Sequence, residues 1–128
     1  MRFTCRSLAS ACPYAWDVNE LNPEDAKIIT LARSARARTG AAEGAAVRDQ
    51  TGRTYAATSV DLPSLKLSAL QVAVAMAVSS GAESLEAAAL VTTADTAQPP
   101  DITTVRDLGP KAPILVAAPN GTLRTTLD

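Results

Sequence analysis

The sequence predicts a three-layer α/β domain in which helices cover a mixed five-stranded sheet. Three observations lead there. Segments with helical spacing of apolar residues alternate with strand-like runs along the chain. Two of those runs, "LEAAALVTT" and "APILVAA", are continuously apolar, as strands buried in a parallel sheet are. The other strands pair around turn signals, one near Asp49 to Gly52 and one at Pro119-Asn120-Gly121.

The first helix is expected in "LNPEDAKIITLARSARARTG". Asn22 can cap it, Pro23 fits the first helical position, and Glu24 and Asp25 suit the positive end of its dipole. Ile28, Leu31, Ala32 and Ala35 fall on one stripe, and Gly40 stops the run. Next, "EGAAVRDQTGRTYAATSVD" reads as strand, turn and strand. A second helix is expected from Leu67 to Val78, with Leu67, Leu70, Val74 and Val78 on one face. Val72 and Met76 lie on another face, so this helix is apolar around most of its circumference and should be buried on several sides. Ser79-Ser80-Gly81 ends it, and "LEAAALVTT" follows as a buried strand. "QPPDITTVRDLGP" holds a short helix after Pro100, closed by Gly109 and Pro110. "APILVAA" is the next strand, and the Asn120-Gly121 turn leads to a last one, "TLRTT".

Composition sets the bounds. A chain of 128 residues builds one domain with one core. It is 47% apolar but only 3% aromatic, so the core rests on small and aliphatic side chains. Such cores gain less from burial per residue, which makes oligomerisation a natural supplement. The net charge of -1 argues against bulk nucleic acid or an anionic membrane as partner. The two cysteines, Cys5 and Cys12, form no secreted-type framework, so a reducing, cytoplasmic location is expected. No apolar run approaches the roughly 20 residues that cross a bilayer. "LASAC" has the look of a lipoprotein cleavage site at Cys12, but Arg6 interrupts the apolar stretch that such a signal requires. Residues 1–20 are therefore expected to be a poorly ordered N-terminal extension, and 21–128 the folded domain. Trp16 and Tyr14 in that extension can dock on the body.

The order and wording of these segments resemble the small cytidine deaminases, from about Asp25 to Arg124. "EGAAVRDQTGRTYAATSVD" is similar to that family's V-G-A-A-L, turn and G-x-N-x-E-N segment. "LSALQVAVAMAVSSGA" is similar to its T-V-C-A-E-R-x-A-I helix and the x-S-x-G that follows. "LVTTADTAQPPDITTVRDLG" is similar to the strand, loop and helix carrying P-C-x-x-C-R-Q, and "ILVAAPNGTLRTT" to the closing hairpin. The resemblance implies a three-layer α-β-α fold and a tetramer built around the second helix.

It also implies a zinc site, and there the residues depart. In zinc deaminases a His or Cys and two further Cys hold the metal, and a Glu moves protons. The first ligand position falls here on Ser68 and the proton-shuttling Glu on Leu70. The other two ligand positions fall on Asp101 and Thr104. The Arg after the Glu becomes Gln71, and the Arg-Gln after the last Cys becomes Val105-Arg106. The ribose-binding Asn and Glu fall on Ser59 and Asp61, and the pocket aromatic near Ala41. The stretch between Ser64 and Ser68 is two residues short, which should narrow the pocket mouth. An aliphatic Leu70 carries no proton, so no catalytic residue, metal ligand or cofactor is assigned.

Other chemistry at the same positions fares little better. Ser68, Asp101, Thr104 and Asp61 offer hard oxygen donors suited to magnesium or calcium, but one or two carboxylates make a poor cage. The simpler reading is that Asp101 caps a helix starting near Ile102 and that Ser68 lies in a first helical turn. The chain has no histidine, which removes the usual serine triad, and Lys66 and Ser68 do not face one another on a helix. Arg33, Arg36, Arg38, Arg48 and Arg53 make a basic region without stacking aromatics, best read as a solvated surface paired with Glu24, Asp25 or Glu43.

The expected function is thus a catalytically inactive scaffold or regulatory oligomer, open to a protein or RNA partner. The alternative is a nucleoside or small-molecule module whose remnant pocket uses Ser59, Asp61, Ser68, Asp101 and Thr104. A homo-oligomer, a tetramer before a dimer, is expected through helix 67–78, where Ala69, Ala73, Ala75 and Ala77 would allow close approach. No membrane association is expected.

Overall fold

The structure, a computed structural model, describes residues 21–128. Helix α1 (Pro23–Thr39) begins where the sequence places it: Asn22 accepts the Glu24 backbone N–H at 2.7 Å, and proline fills the first position. It ends at Gly40, whose φ of 70° is the left-handed cap that glycine adopts without steric cost. Strands β1 (Gly44–Asp49) and β2 (Thr54–Thr58) form the expected hairpin.

A second, two-stranded ribbon follows, β3 (Val60–Leu62) with β4 (Leu65–Leu67), turning at Pro63-Ser64. The sequence pattern predicts no such ribbon and places the helix start at Leu67. The alternation Val60, Leu62, Leu65, Leu67 in fact holds the strands' period of two, with Val60 opposite Leu67 and Leu62 opposite Leu65. Helix α2 is therefore shorter, Ala69–Ser79. Strand β5 (Leu85–Val91), helix α3 (Pro99–Leu108) and strands β6 (Ile114–Ala117) and β7 (Leu123–Leu127) complete the chain.

The main sheet has the order β2-β1-β5-β6-β7. Only β5 and β6 run parallel, joined through α3, and the remaining pairs are antiparallel. The fold is the expected three-layer α/β domain on a mixed five-stranded sheet. One core lies between the sheet and α2 and α3, around Leu70, Val74, Leu90, Val105 and Ile114. The other lies under α1, around Ile28, Ile29, Val91 and Leu115. Alanines floor this second core, and Gly44 lets α1 sit directly on β1. A β-carbon added there would lie 2.2 Å from the Ala32 carbonyl oxygen.

Helix α2 corrects two expectations. Ala69, Leu70, Ala73, Val74 and Ala77 face the sheet and are buried, whereas Val78 is 53% exposed. Eight residues at 3.6 per turn carry Val78 about 80° around from Leu70, away from the sheet. Of the four alanines expected to admit a second helix, three lie within the chain's own core, and Ala75 alone faces outward. Met76, 40% exposed, shares that outward arc with Ala75 and Val78.

Candidate functional site

The N-termini of α2 and α3 meet on one face of the sheet, and their first polar side chains touch. Ser68 is the N-cap of α2 and not part of its first turn. Its hydroxyl accepts the Gln71 backbone N–H at 3.2 Å, while the Gln71 side chain accepts the Ser68 N–H at 3.0 Å. This reciprocal box satisfies two helix-terminal donors at once. The same hydroxyl donates its proton to Asp101 Oδ1 at 2.6 Å.

Asp101 does not cap α3 as expected. The helix starts earlier, at Pro99, so Asp101 falls within the first turn, and the Gln98 cap makes no side-chain bond. Two prolines in "QPPD" explain the difference: each is tolerated at a helix start, where an N–H has no intrahelical partner. Asp101 is only 3% exposed, a depth at which an acid is rarely found without a partner. Ser68 supplies that partner across 33 residues of sequence.

The other predicted positions have their own engagements. Thr104 donates its hydroxyl to the Pro100 carbonyl at 2.8 Å, one turn back on its own helix. Asp61 lies on the β3–β4 ribbon, paired with Lys66 at 2.5 Å, and its side chain is 82% exposed. Ser59 stands half-buried between β2 and β3. Among the described residues, no hydrogen bond ties Ser59, Asp61 or Thr104 to the Ser68–Asp101 pair.

A zinc ion finds no adequate donors here. No three of His, Cys, Asp and Glu cluster among the described residues. At the positions that the resemblance assigns to the metal, a serine hydroxyl and one carboxylate stand, not the thiolate and imidazole donors that zinc favours. Leu70, where the proton-carrying Glu is expected, is wholly buried in the core. The described residues at these positions do not fit the metal. Cys5 and Cys12 lie outside the described residues, as do Tyr14, Trp16 and the whole 1–20 segment.

The basic residues are largely occupied with the fold. Arg33 donates to the Pro119 carbonyl and Arg36 to the Ala42 carbonyl, each at 3.1 Å. Arg48 bridges Asp25 at 3.0 Å and Glu86 at 2.9 Å, tying α1 to β1 and β5. Burial opposes its charge, but Glu86 and Asp25 outweigh that and raise its pKa further.

Sequence reasoning missed several polar devices. "SALQ", residues 68–71, is a capping-box pattern, so the role of Gln71 was there to be read. The long-range partners carried no such local signal. At the carboxyl end of β5, Thr92 donates to Glu43 at 3.2 Å, and Arg124 holds the next loop through the Thr93 and Ala94 carbonyls, each at 2.8 Å.

The cytidine deaminase-like family model matches residues 21–121. A cytidine deaminase from Burkholderia pseudomallei is similar in structure, with a TM-score of 0.68 and 21% identity over 77% of this chain and 87% of that one. One from Mycobacterium leprae has a TM-score of 0.61 and 19% identity over 78% of this chain and 90% of that one. No curated protein sequence matches the chain.

Proposed function

Because the chain belongs to the cytidine deaminase-like family, we propose that it is a catalytically inactive member that serves as a scaffold or regulatory oligomer. The observation that carries this reading is the 2.6 Å hydrogen bond from Ser68 to Asp101. By the resemblance, these are positions where the family's enzymes hold zinc. Here they bond directly to each other, and Ser68 is further committed to the Gln71 box. Leu70, at the proton-shuttle position, belongs to the hydrophobic core. A direct hydrogen bond thus ties the two helix N-termini together.

The scaffold role rests on what this framework leaves open. Helix α2 presents Ala75, Met76 and Val78 outward, an apolar arc on the element around which the resemblance implies a tetramer. A symmetric homo-oligomer with this arc at its centre, a tetramer before a dimer, follows as the assembly that covers it. The same surface would carry a protein partner. No described helix is long and apolar enough to cross a membrane.

Elemental analysis of the purified full-length protein tests the reading. The expected zinc content is far below one atom per chain. About one zinc per chain, lost in Asp101→Ala, would overturn it.

A second reading rests on the same hydrogen-bonded pair. A nucleoside could still be held beside this pair, with Ser59 and Asp61 at the ribose positions that the resemblance assigns and Thr104 on α3. A saturable rise in the melting temperature with cytidine, lost in Ser59→Ala, would favour it over the scaffold.

A further inference from the structure

The turn between β6 and β7 carries chemistry that the candidate site does not use. The Gly121 N–H donates to the Ala118 carbonyl, and the Ala118 N–H to the Thr122 carbonyl, each at 2.8 Å. Gly121 has a φ of 92°, a backbone conformation that glycine adopts without steric cost. Asn120 is exposed, and its Oδ1 accepts the Thr122 N–H at 2.9 Å. That bond turns the side-chain amide back over the Gly121 peptide and draws electrons from its carbonyl carbon.

We infer that Asn120 is a self-modification site, converted by water to aspartate and isoaspartate, and that Arg33 restrains the conversion. The Gly121 nitrogen gives up its proton to solvent base and attacks Cγ of Asn120. A nitrogen–carbon bond forms, the bond from Cγ to the amide nitrogen breaks, and ammonia leaves with a proton from water. Water then opens the cyclic imide. Addition at the side-chain carbonyl gives aspartate, and addition at the main-chain carbonyl gives isoaspartate. The net change is hydrolysis of one amide, without oxidation or reduction. Glycine permits the attack because no side chain crowds its nitrogen. The chain's other asparagines lack that neighbour: Asn19 precedes Glu20, and Asn22 precedes Pro23, whose nitrogen carries no proton.

Two contacts oppose the reaction. The Gly121 N–H is engaged by Ala118, so the turn must open before the nitrogen can attack. Arg33 of α1 donates from Nε to the Pro119 carbonyl at 3.1 Å. A β-carbon built on Gly121 would lie 3.2 Å from both Cδ and Nη1 of Arg33, so that side chain lies against the turn and holds it closed.

Full-length protein, held in mildly alkaline buffer and then cut with trypsin, tests the inference. Residues 112–124 form one tryptic peptide, in which Asn120 is the only side-chain amide. This peptide should gain the mass of an amide turned to acid, faster as pH rises. It should also split into two chromatographic forms, one of them a substrate for isoaspartyl methyltransferase. Asn120→Ser should show no gain, and Arg33→Ala should convert several-fold faster than the unmodified protein. A peptide left unchanged, under conditions that convert synthetic 112–124, would overturn the site. Conversion at an equal rate in Arg33→Ala would overturn the restraint.

Discussion

At the scale of single residues, the account turns on Ser68 and Asp101. Removing the Ser68 hydroxyl deletes an N-cap worth about 1 kcal/mol and leaves a buried carboxyl without its partner, at about 1–3 kcal/mol. Ser68→Ala and Asp101→Ala should therefore each lower stability, and the double variant should lose clearly less than the sum. Chemical denaturation of the four proteins measures that coupling, expected at about 1–2 kcal/mol. Strict additivity would mean that the two groups do not hold the helices together.

A second residue has a simpler task. Asp49 closes the β1–β2 turn, accepting from the Thr51 N–H and hydroxyl, the Arg53 N–H and the Tyr55 hydroxyl. It is 2% exposed, covered by its own turn at the end of β1. Desolvation pushes its pKa up, but the bonds from Thr51, Tyr55 and Arg53 outweigh this and hold it below the usual carboxylate value. A depressed folded pKa stabilises fully above the unfolded value, near 3.9, and that stability is lost as pH falls through the folded value. The melting-temperature gap between the unmodified protein and Asp49→Asn should thus be constant near neutrality and shrink below about pH 4. A gap unchanged down to pH 2 would contradict this.

At the scale of elements, the outward arc of α2 makes the sharpest claim. Val78 and Met76 are exposed, and Ala75 lies between them on the surface. Light scattering at micromolar concentration should give the mass of an oligomer, a tetramer before a dimer. Met76→Glu should dissociate it while leaving the fold intact, since a buried carboxylate between subunits has no cation to pair with. A monomeric mass, or an oligomer indifferent to that change, would remove α2 from the interface. Ala73→Glu is unsuitable for the purpose, because Ala73 is wholly buried in the chain's own core and the charge would disrupt the fold.

Much at this scale was legible in the sequence. The caps and stripe of α1, the β1–β2 turn and the two apolar strands are local patterns, read from neighbouring residues. The β3–β4 ribbon is hidden in the sequence because its four apolar residues run into the apolar start of α2, and Pro63-Ser64 is a weak turn signal beside Asn-Gly. The burial of α2 was misjudged for another reason. Periodicity counts alanine and valine as equally apolar, whereas close packing against the sheet took the alanines and left Val78 outside.

For the whole molecule, order and spacing sufficed to place the chain in its family's fold, although the similar solved structures are only 21% and 19% identical where they align. The candidate site was legible only as a set of substitutions. Nothing in the sequence could show that Ser68 and Asp101 bond to each other, because their contact exists only once α2 and α3 pack side by side. Through that contact two helix ends close on one another. Deamination needs an open metal position and a proton carrier at this place. The most direct test is release of uridine from cytidine by the full-length protein in zinc-supplemented buffer. The account predicts no product above the protein-free control. Uridine formation at a rate proportional to protein, and abolished in Asp101→Ala, would contradict it.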